Sequence, residues 1–170
     1  MINNNFKKIL KWLFMRGNPD IHTLKPIGLD GTEIQEGNGY NILQYLHTSL
    51  NTIINSDGIN SNVKGGVCMG FGAGGSKQVS LEDYKLETMI NNLSYLSSSI
   101  VTTEEGYIVT TSVKNTTSRD IIVSEVGIFC RGENNDYKVS SPFMLTRNVL
   151  ETPITINPNE IKTFTVTINF

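Results

Sequence analysis

The run KTFTVTINF at residues 162–170 alternates strictly between polar and apolar side chains. A period of two is the period of an extended strand and does not fit a helix. One face of this strand would carry the apolar side chains of Phe164, Val166, Ile168 and Phe170. The run therefore constrains this part of the chain to a β-sheet with a hydrophobic core on one side.

The same period begins near residue 65 and continues to the final run. In GGVCMGFG it predicts a strand with Val67, Met69 and Phe71 on one face. Strands are also predicted in DIIVSEVGIF and SPFMLTRNVL, and SIVTTEEGYIVTTSVKN predicts a hairpin folded at Glu104-Glu105-Gly106. Asn157-Pro158-Asn159 predicts a turn into the last strand. Short strands separated by turns predict an antiparallel β-sandwich or jelly-roll-like domain over residues 65–170.

Residues 1–64 have a different pattern and form a predicted N-terminal docking segment with two amphipathic helices. The segment NFKKILKWLFMR at 5–16 has helical period and no acidic residue, and YNILQYLHTSLNTIIN at 40–55 is the second helix. The first helix could pack on its own domain, dock on another subunit, or lie on a membrane or nucleic acid. We favour docking, with apolar anchors at Phe6, Leu10, Trp12 and Phe14.

The bulk composition argues against several partners. The 170 residues carry a formal net charge of -2, so no general attraction to nucleic acid or to an anionic membrane is expected. No apolar stretch approaches the roughly 20 residues that a membrane span needs. Lys11 interrupts the apolar run near the N-terminus, which does not fit a signal peptide. We therefore expect neither nucleic acid nor membrane as a partner, and synthesis in the cytoplasm.

The residues that usually bind metals are few and isolated. Cys68 and Cys130 are the only cysteines and have no C-x-x-C spacing, and His22 and His47 stand apart from each other. This pattern predicts no metal site and no disulfide framework. The two cysteines are interpreted as small buried hydrophobic residues.

The loop GFGAGGSK at 70–77 satisfies G-x-G-x-x-G with Gly70, Gly72 and Gly75, and so raises the question of nucleotide binding. A dinucleotide site also needs a helix at the last glycine and an acid about 20 residues later, and neither is present. A P-loop needs a hydroxyl residue after its lysine, but Gln78 follows Lys77. We predict no cofactor and interpret the glycines as a backbone turn that leaves the strand sharply. Residues 80–83 are predicted to cap a single helical turn.

Two acidic pairs raise the question of acid–base catalysis. Glu82-Asp83 and Glu104-Glu105 are each adjacent in sequence, and the second pair lies at a turn. Such pairs do not direct two carboxylates at one bond, and no G-x-S-x-G motif is present. We predict no catalytic residues and interpret both pairs as solvated turn residues.

Glu125 and Arg147 are charged residues within apolar strand patterns. If the two strands pair antiparallel with Phe129 opposite Phe143, Glu125 lies opposite Arg147. This register predicts a cross-strand ion pair, or a shared hydrogen-bond network, that sets the strand register. The alternative is two unrelated charges on edge strands.

Four short motifs of the β-domain resemble, in the same order, those of small bacteriophage virion structural proteins. GVCMGFGAGG followed by SLEDYKLE resembles that group's GxG…DxxL segment, and DIIVSEVGIF its IxExG(L/I)F strand. MLTRNVL resembles its LxR strand, and IKTFTVTINF its closing strand. The resemblance covers about residues 65–170 and departs from the group in the loop AGGSKQVS, where the relatives usually have Thr, Ala and Pro.

The resemblance implies a non-enzymatic virion component of a tail, neck or collar, baseplate or head appendage. Its implied partners are further copies of itself and other virion proteins, and its location is the virion after assembly in the host cytoplasm. An alternative is a receptor- or carbohydrate-binding module that uses the loop GENNDY at 132–137. Deleting residues 1–16 is expected to leave the β-domain folded and to block incorporation into particles.

Overall fold

The computed structural model describes residues 66–131 and 143–169, together with residues 3–5, 7, 27–29, 31 and 33. This part of the chain is mainly β and forms two three-stranded antiparallel sheets, with strand orders β1-β4-β5 and β2-β3-β6. The strands are β1 Gly66–Gly72, β2 Leu93–Thr103, β3 Gly106–Asn115, β4 Ile121–Arg131, β5 Phe143–Ile156 and β6 Ile161–Asn169.

Both sheets contribute side chains to one hydrophobic core. The alternate residues of β1 and β6 that the sequence assigned to a core face are buried there: Val67, Met69, Phe71, Phe164, Val166 and Ile168. The Phe71 and Phe164 rings, which come from different sheets, have centroids 4.7 Å apart. The alternation predicted for β1 and for residues 162–169 of the final run is therefore confirmed. Burial of each apolar side chain of this size stabilises the folded state by about 1.5–3 kcal/mol.

The two predicted turns between strands are also present. Thr103 pairs with Gly106, so Glu104 and Glu105 form the loop between β2 and β3. A side chain at Gly106 would collide with the backbone carbonyl of Ile168 on β6. Strand β2 begins at Leu93, earlier than predicted, because its serine-rich first half lacks alternation and contains a bulge.

The turn before β6 is closed by hydrogen bonds. The backbone N–H of Glu160 donates to the carbonyl oxygen of Asn157 at 3.0 Å, and the N–H of Asn159 donates to that of Asn115 at 2.8 Å. Asn159 takes φ 64°, a conformation that asparagine adopts more readily than most residues.

Strands β4 and β5 pair antiparallel, but the predicted register is wrong. Phe129 lies opposite Met144 instead of Phe143, and Arg147 lies opposite Gly127. The register shifts between Ile128 and Phe129, where β5 has one extra residue, and shifts again further along the pair. A bulge of this kind leaves no mark on an apolar–polar pattern, so sequence alternation cannot locate it.

The outer face of the β1-β4-β5 sheet is covered by the chain between β1 and β2. Cys68, Phe129 and Met144 on the sheet form a second apolar cluster with Leu86 of this segment. Residues 80–83 form the predicted cap, since Ser80 N–H donates to the Asp83 carboxylate at 2.9 Å and Glu82 N–H donates to Ser80 Oγ at 3.2 Å. The helical turn expected after this cap is wrong, because residues 81–92 contain no helix. Cys68 and Cys130 are buried and form no disulfide, in agreement with the interpretation from sequence.

Two N-terminal asparagines attach to the edge of β5. Asn3 N–H donates to the carbonyl oxygen of Leu145 at 3.1 Å, and Asn3 Nδ2 donates to that of Met144 at 2.7 Å. Asn5 Nδ2 also donates to Met144 O, at 3.2 Å, and both asparagine side chains are buried. This edge of the sheet is therefore closed by a short N-terminal segment.

Little of the predicted helical segment belongs to the described residues. Asn4, Asn5 and Lys7 have helical geometry. The rest of the helix predicted at 5–16, and the helix predicted at 40–55, lie outside the described residues. Within the part of the chain that is described, no helix is both long and apolar enough to cross a bilayer.

Candidate functional site

A buried ion pair lies on the outer face of the β1-β4-β5 sheet. Arg147 Nε donates to Glu125 Oε2 at 2.7 Å, and the two side chains are 2% and 0% exposed. They meet diagonally because Arg147 is opposite Gly127 and Glu125 is opposite Val149. The ion pair predicted from the sequence is therefore present, although β4 and β5 pair in a register that differs from the predicted one. Glu125 is on the central strand, so it is not an edge-strand charge.

Two further carboxylates complete what we call the Arg147 network, consisting of Arg147, Glu125, Asp83 and Glu87. Arg147 Nη1 lies 3.1 Å from Asp83 Oδ2, and Nη2 lies 3.3 Å from Glu87 Oε1. Burial lowers the pKa of Arg147, but the hydrogen bonds and charges of Glu125 and Asp83 outweigh burial and raise it. Arg147 therefore stays charged, and the network fastens the segment between β1 and β2 to the sheet.

The glycines beside the network leave room for its side chains. A Cβ added at Gly72 would contact Glu125 Oε1 and lie 2.6 Å from its Cγ. A Cβ at Gly70 would lie 2.6 Å from Phe129 Cε2, and one at Gly127 would lie 2.8 Å from the same atom. Gly70 and Gly72 lie within β1, so the prediction that they form a turn is wrong. Glycine is required at both positions because neighbouring side chains occupy the space that a Cβ would fill. Of the three predicted turn glycines only Gly75 has a positive φ, 101°.

The glycine-rich loop holds an anion that belongs to the same chain. Gly75 N–H and Ser76 N–H donate to Glu87 Oε2 at 2.9 and 3.1 Å. Ser76 Oγ donates to the same oxygen at 3.0 Å, and Lys77 N–H donates to Glu87 Oε1 at 2.7 Å. Successive backbone N–H groups that converge on an anion form the same kind of nest that holds phosphate in nucleotide-binding loops. In this protein the Glu87 carboxylate fills it.

These hydrogen bonds determine the ionisation of Glu87. Burial raises its pKa, but the donors from Lys77, Ser76 and Gly75 outweigh burial and hold the pKa at about 2, below the ordinary 4.5. A carboxylate that accepts several backbone hydrogen bonds has a strongly lowered pKa for this reason. Glu87 is therefore negatively charged at neutral pH.

We expect the Glu87 contacts to make the protein sensitive to acid. Because the folded-state pKa lies below the ordinary 4.5, Glu87 stabilises the fold above about pH 4.5. This stabilisation is lost as the pH falls toward 2. Thermal unfolding at pH values from 2 to 6 should show that Glu87→Gln is less stable than the wild type near pH 6. Below pH 4.5, the stability of Glu87→Gln should fall by less than the stability of the wild type. The exposed-turn variant Glu105→Gln should follow the wild-type curve, and an unchanged profile for Glu87→Gln would contradict the expectation.

A cleft of about 410 Å³ opens beside the Arg147 network. Its acidic and basic lining residues are equal in number: Glu82, Asp83 and Glu87 against Lys77, Lys85 and Arg147. Within the described part of the chain, no group of His, Cys, Asp or Glu is arranged to hold a metal ion. Asp83 and Glu87 contact Arg147, so these two carboxylates hold the cleft wall against the sheet.

Three parts of this arrangement do not follow from the sequence pattern. No local pattern connects Glu87 to a loop ten residues earlier. The sequence pattern of Asp83 predicts a solvated turn residue, and the DxxL motif of the resemblance is what points to it. Asn3 and Asn5 carry no pattern beyond a short polar run.

The remaining predicted contact residues lie outside the described residues. These are the docking anchors Phe6, Leu10, Trp12 and Phe14, and the loop at 132–137. Comparison of the chain with protein-family models, curated proteins and solved structures finds no match.

Proposed function

We propose that the protein is a non-enzymatic structural subunit of a bacteriophage or phage-tail-like particle. It acts by packing against copies of itself and by docking on other virion proteins. In this proposal the two sheets form a β-sandwich or jelly-roll-like body, and the predicted N-terminal helix provides the docking element.

The observation that carries the proposal is the convergence of the motif residues on which the resemblance rests. Gly72 of the GxG motif leaves room for Glu125 of the ExG motif. Arg147 of the LxR motif binds both Glu125 and Asp83, the acid of the DxxL motif. Leu86 of that motif packs on Phe129. Three of the four motifs, far apart in sequence, thus build one buried cluster, which supports a shared architecture better than unrelated coincidences would.

The outer face of the β2-β3-β6 sheet suits contact with another protein surface. Hydroxyl side chains on neighbouring strands form rungs across it, with Ser112 Oγ and Thr163 Oγ1 2.7 Å apart and Thr110 Oγ1 and Thr165 Oγ1 3.3 Å apart. Short hydroxyl side chains lose little conformational entropy when they are covered. A face of short hydroxyl side chains supports packing between subunits.

The docking role is tested by substitution instead of by deletion. Removing residues 1–16 would also remove Asn3 and Asn5, whose buried amides close the β5 edge, so the expectation that this truncation leaves the β-domain intact is revised. The variant to make carries Phe6→Gln, Leu10→Gln, Trp12→Gln and Phe14→Gln together. We expect it to fold and to be at least about tenfold depleted from particles, because losing a few apolar anchors removes most of an interface's binding energy.

The measurement is the amount of the chain in purified particles, by quantitative mass spectrometry, in cells that make only the variant. Ile122→Gln, which replaces an exposed apolar residue of the β-body, is the matched control and should be incorporated normally. Normal incorporation of the fourfold variant would reject the docking helix. Absence of the wild-type chain from particles would reject the proposed function.

A further inference from the structure

The edge strands of the two sheets differ in how they are protected from pairing with another strand. An uncovered edge strand presents unpaired N–H and C=O groups, and proteins usually cover it or place charges or proline on it. The β1 edge is covered in part: Ile90 N–H of the segment that follows β1 donates to Phe71 O at 2.9 Å, and Tyr95 Oη of β2 donates to Met69 O at 3.0 Å. Ala73 N–H continues this cover by donating to Thr88 O at 2.9 Å.

The β5 and β6 edges are protected in other ways. Asn3 closes β5 at Met144 and Leu145, and further along the same strand Glu151 and Pro153 interrupt regular pairing. Strand β6 carries Lys162, whose Nζ lies 2.7 Å from Glu160 Oε1. A charged side chain on an edge strand opposes pairing with another strand, because pairing would desolvate it.

Within the described residues, strand β2 is neither covered nor protected by a charge or a proline, and a bulge between Tyr95 and Ser97 is its one irregularity. It is 11 residues long, with the sequence LSYLSSSIVTT, and contains no charged residue and no proline. Within the described part of the chain it pairs with β3 alone. Leu96 and Val101 are 48% and 54% exposed, although both are apolar. A long, uncharged, exposed edge with apolar side chains is the kind that pairs with another strand.

We propose that β2 pairs antiparallel with β2 of a second copy of this chain, across a two-fold axis near the middle of the strand. The inference deepens the proposed function, on which it rests, by naming the surface through which copies associate. It joins two three-stranded sheets into one continuous six-stranded sheet. Because a two-fold contact uses the same surface on both copies, it closes into a discrete dimer.

The charges at the two ends of β2 select a second copy in this orientation. Glu104 and Glu105 follow the last residue of β2, and Lys114 lies opposite Ser94 near its first residue. Antiparallel pairing brings the acidic turn of each copy toward the end of the other sheet that carries Lys114. Parallel pairing would place the two acidic turns side by side, where they repel each other. The strand is therefore complementary to itself.

The edge is long enough for such a contact. Eleven residues of strand span roughly 35 Å, and antiparallel pairing along them forms about ten backbone hydrogen bonds. Pairing also moves the exposed Leu96 and Val101 next to a neighbouring strand. A lysine placed on β2 near the two-fold axis would lie opposite the same lysine of the second copy. The two positive charges would oppose pairing.

The test is sedimentation velocity of the full chain between about 1 and 100 µM, with Ser99→Lys on β2 and, as a control, Thr155→Lys at an exposed position of β5 in the other sheet. We expect a dimer for the wild type and for Thr155→Lys, and at least tenfold weaker association for Ser99→Lys, since like charges directly opposed on paired strands are destabilising. Circular dichroism checks that each variant is folded. A monomeric wild type, or an unchanged dimer for Ser99→Lys, would overturn the proposal.

Cysteine cross-linking provides a second measurement that does not depend on a charge. Paired residues of antiparallel strands have Cα atoms about 4.5–5.5 Å apart, which suits a disulfide. Ser97→Cys and Ser99→Cys, oxidised alone or mixed in equal amounts, should give a covalent dimer, and Thr155→Cys on β5 should not. The native Cys68 and Cys130 are buried and do not interfere. Failure of all the β2 combinations would count against the pairing.

The two proposals can fail separately. A chain that is present in particles but neither dimerises nor cross-links through β2 keeps the proposed function and loses this inference. A chain that dimerises through β2 but is absent from particles keeps the inference as a property of the protein and loses the proposed function.

Discussion

Replacing Arg147 with methionine is expected to lower the free energy of unfolding by about 3–5 kcal/mol. Methionine keeps the apolar contacts of the side chain but removes the guanidinium that faces three carboxylates. Glu125 is 0% exposed and cannot recover its lost partner from water. An uncompensated buried charge is among the most destabilising changes a protein can undergo. Urea denaturation at pH 7 measures the difference.

A surface pair in the same protein provides the control. Lys162 and Glu160 also form an ion pair, at 2.7 Å, but their side chains are 40% and 29% exposed. Lys162→Met should therefore cost at most about 1 kcal/mol. Combining Arg147→Met with Glu125→Gln removes the buried charge together with its partner and should recover part of the loss. A cost below about 1 kcal/mol for Arg147→Met alone would show that the network does not hold the segment to the sheet.

Replacing Gly72 with alanine is expected to cost about 1–3 kcal/mol, the range for overpacking a filled interior. The new methyl group would meet the carboxylate of Glu125, which Arg147 and the Thr88 N–H hold in place. Elsewhere in an exposed strand, glycine to alanine would be neutral or stabilising. The sign of the effect therefore reports whether Glu125 occupies the space above Gly72. Thermal unfolding followed by circular dichroism is sufficient to measure it.

The residue next to Gly72 is a suitable control. Ala73 is exposed, so Ala73→Ser should change stability by no more than about 0.5 kcal/mol. If Gly72→Ala were equally neutral, the Glu125 side chain would have room to move, and the requirement for glycine at this position would be lost.

The strands themselves were largely predictable. The core faces of β1 and β6 follow from alternation at Val67 and Phe164, and the hairpin turn follows from Glu104-Glu105-Gly106. These features depend on residues that are neighbours in sequence, so a local pattern records them. Even the ion pair could be anticipated, because a charge inside an apolar strand needs a partner and few candidates exist.

The register of β4 against β5 was not predictable, and the candidate site depends on it. The bulge near Leu145 places Arg147 opposite Gly127 and next to Glu125, and nothing in the local sequence marks it. The same limit applies to Glu87 in the glycine loop and to Asn3 at the β5 edge. Each is a contact between residues that are not neighbours in the sequence and that meet only in the folded structure.

The sequence by itself determined most of the strand segments, the turns at Glu104-Glu105 and at residues 157–159, and which face of β1 and of β6 is apolar. Those properties arise from side-chain periodicity and from the backbone preferences of a few neighbouring residues. Only the tertiary structure decided that Glu87 fills the glycine loop, that Gly72 leaves room for a carboxylate instead of forming a turn, and that β2 pairs with β3 alone within the described residues. These outcomes depend on distances between remote parts of the chain, which close packing sets and a linear pattern does not record.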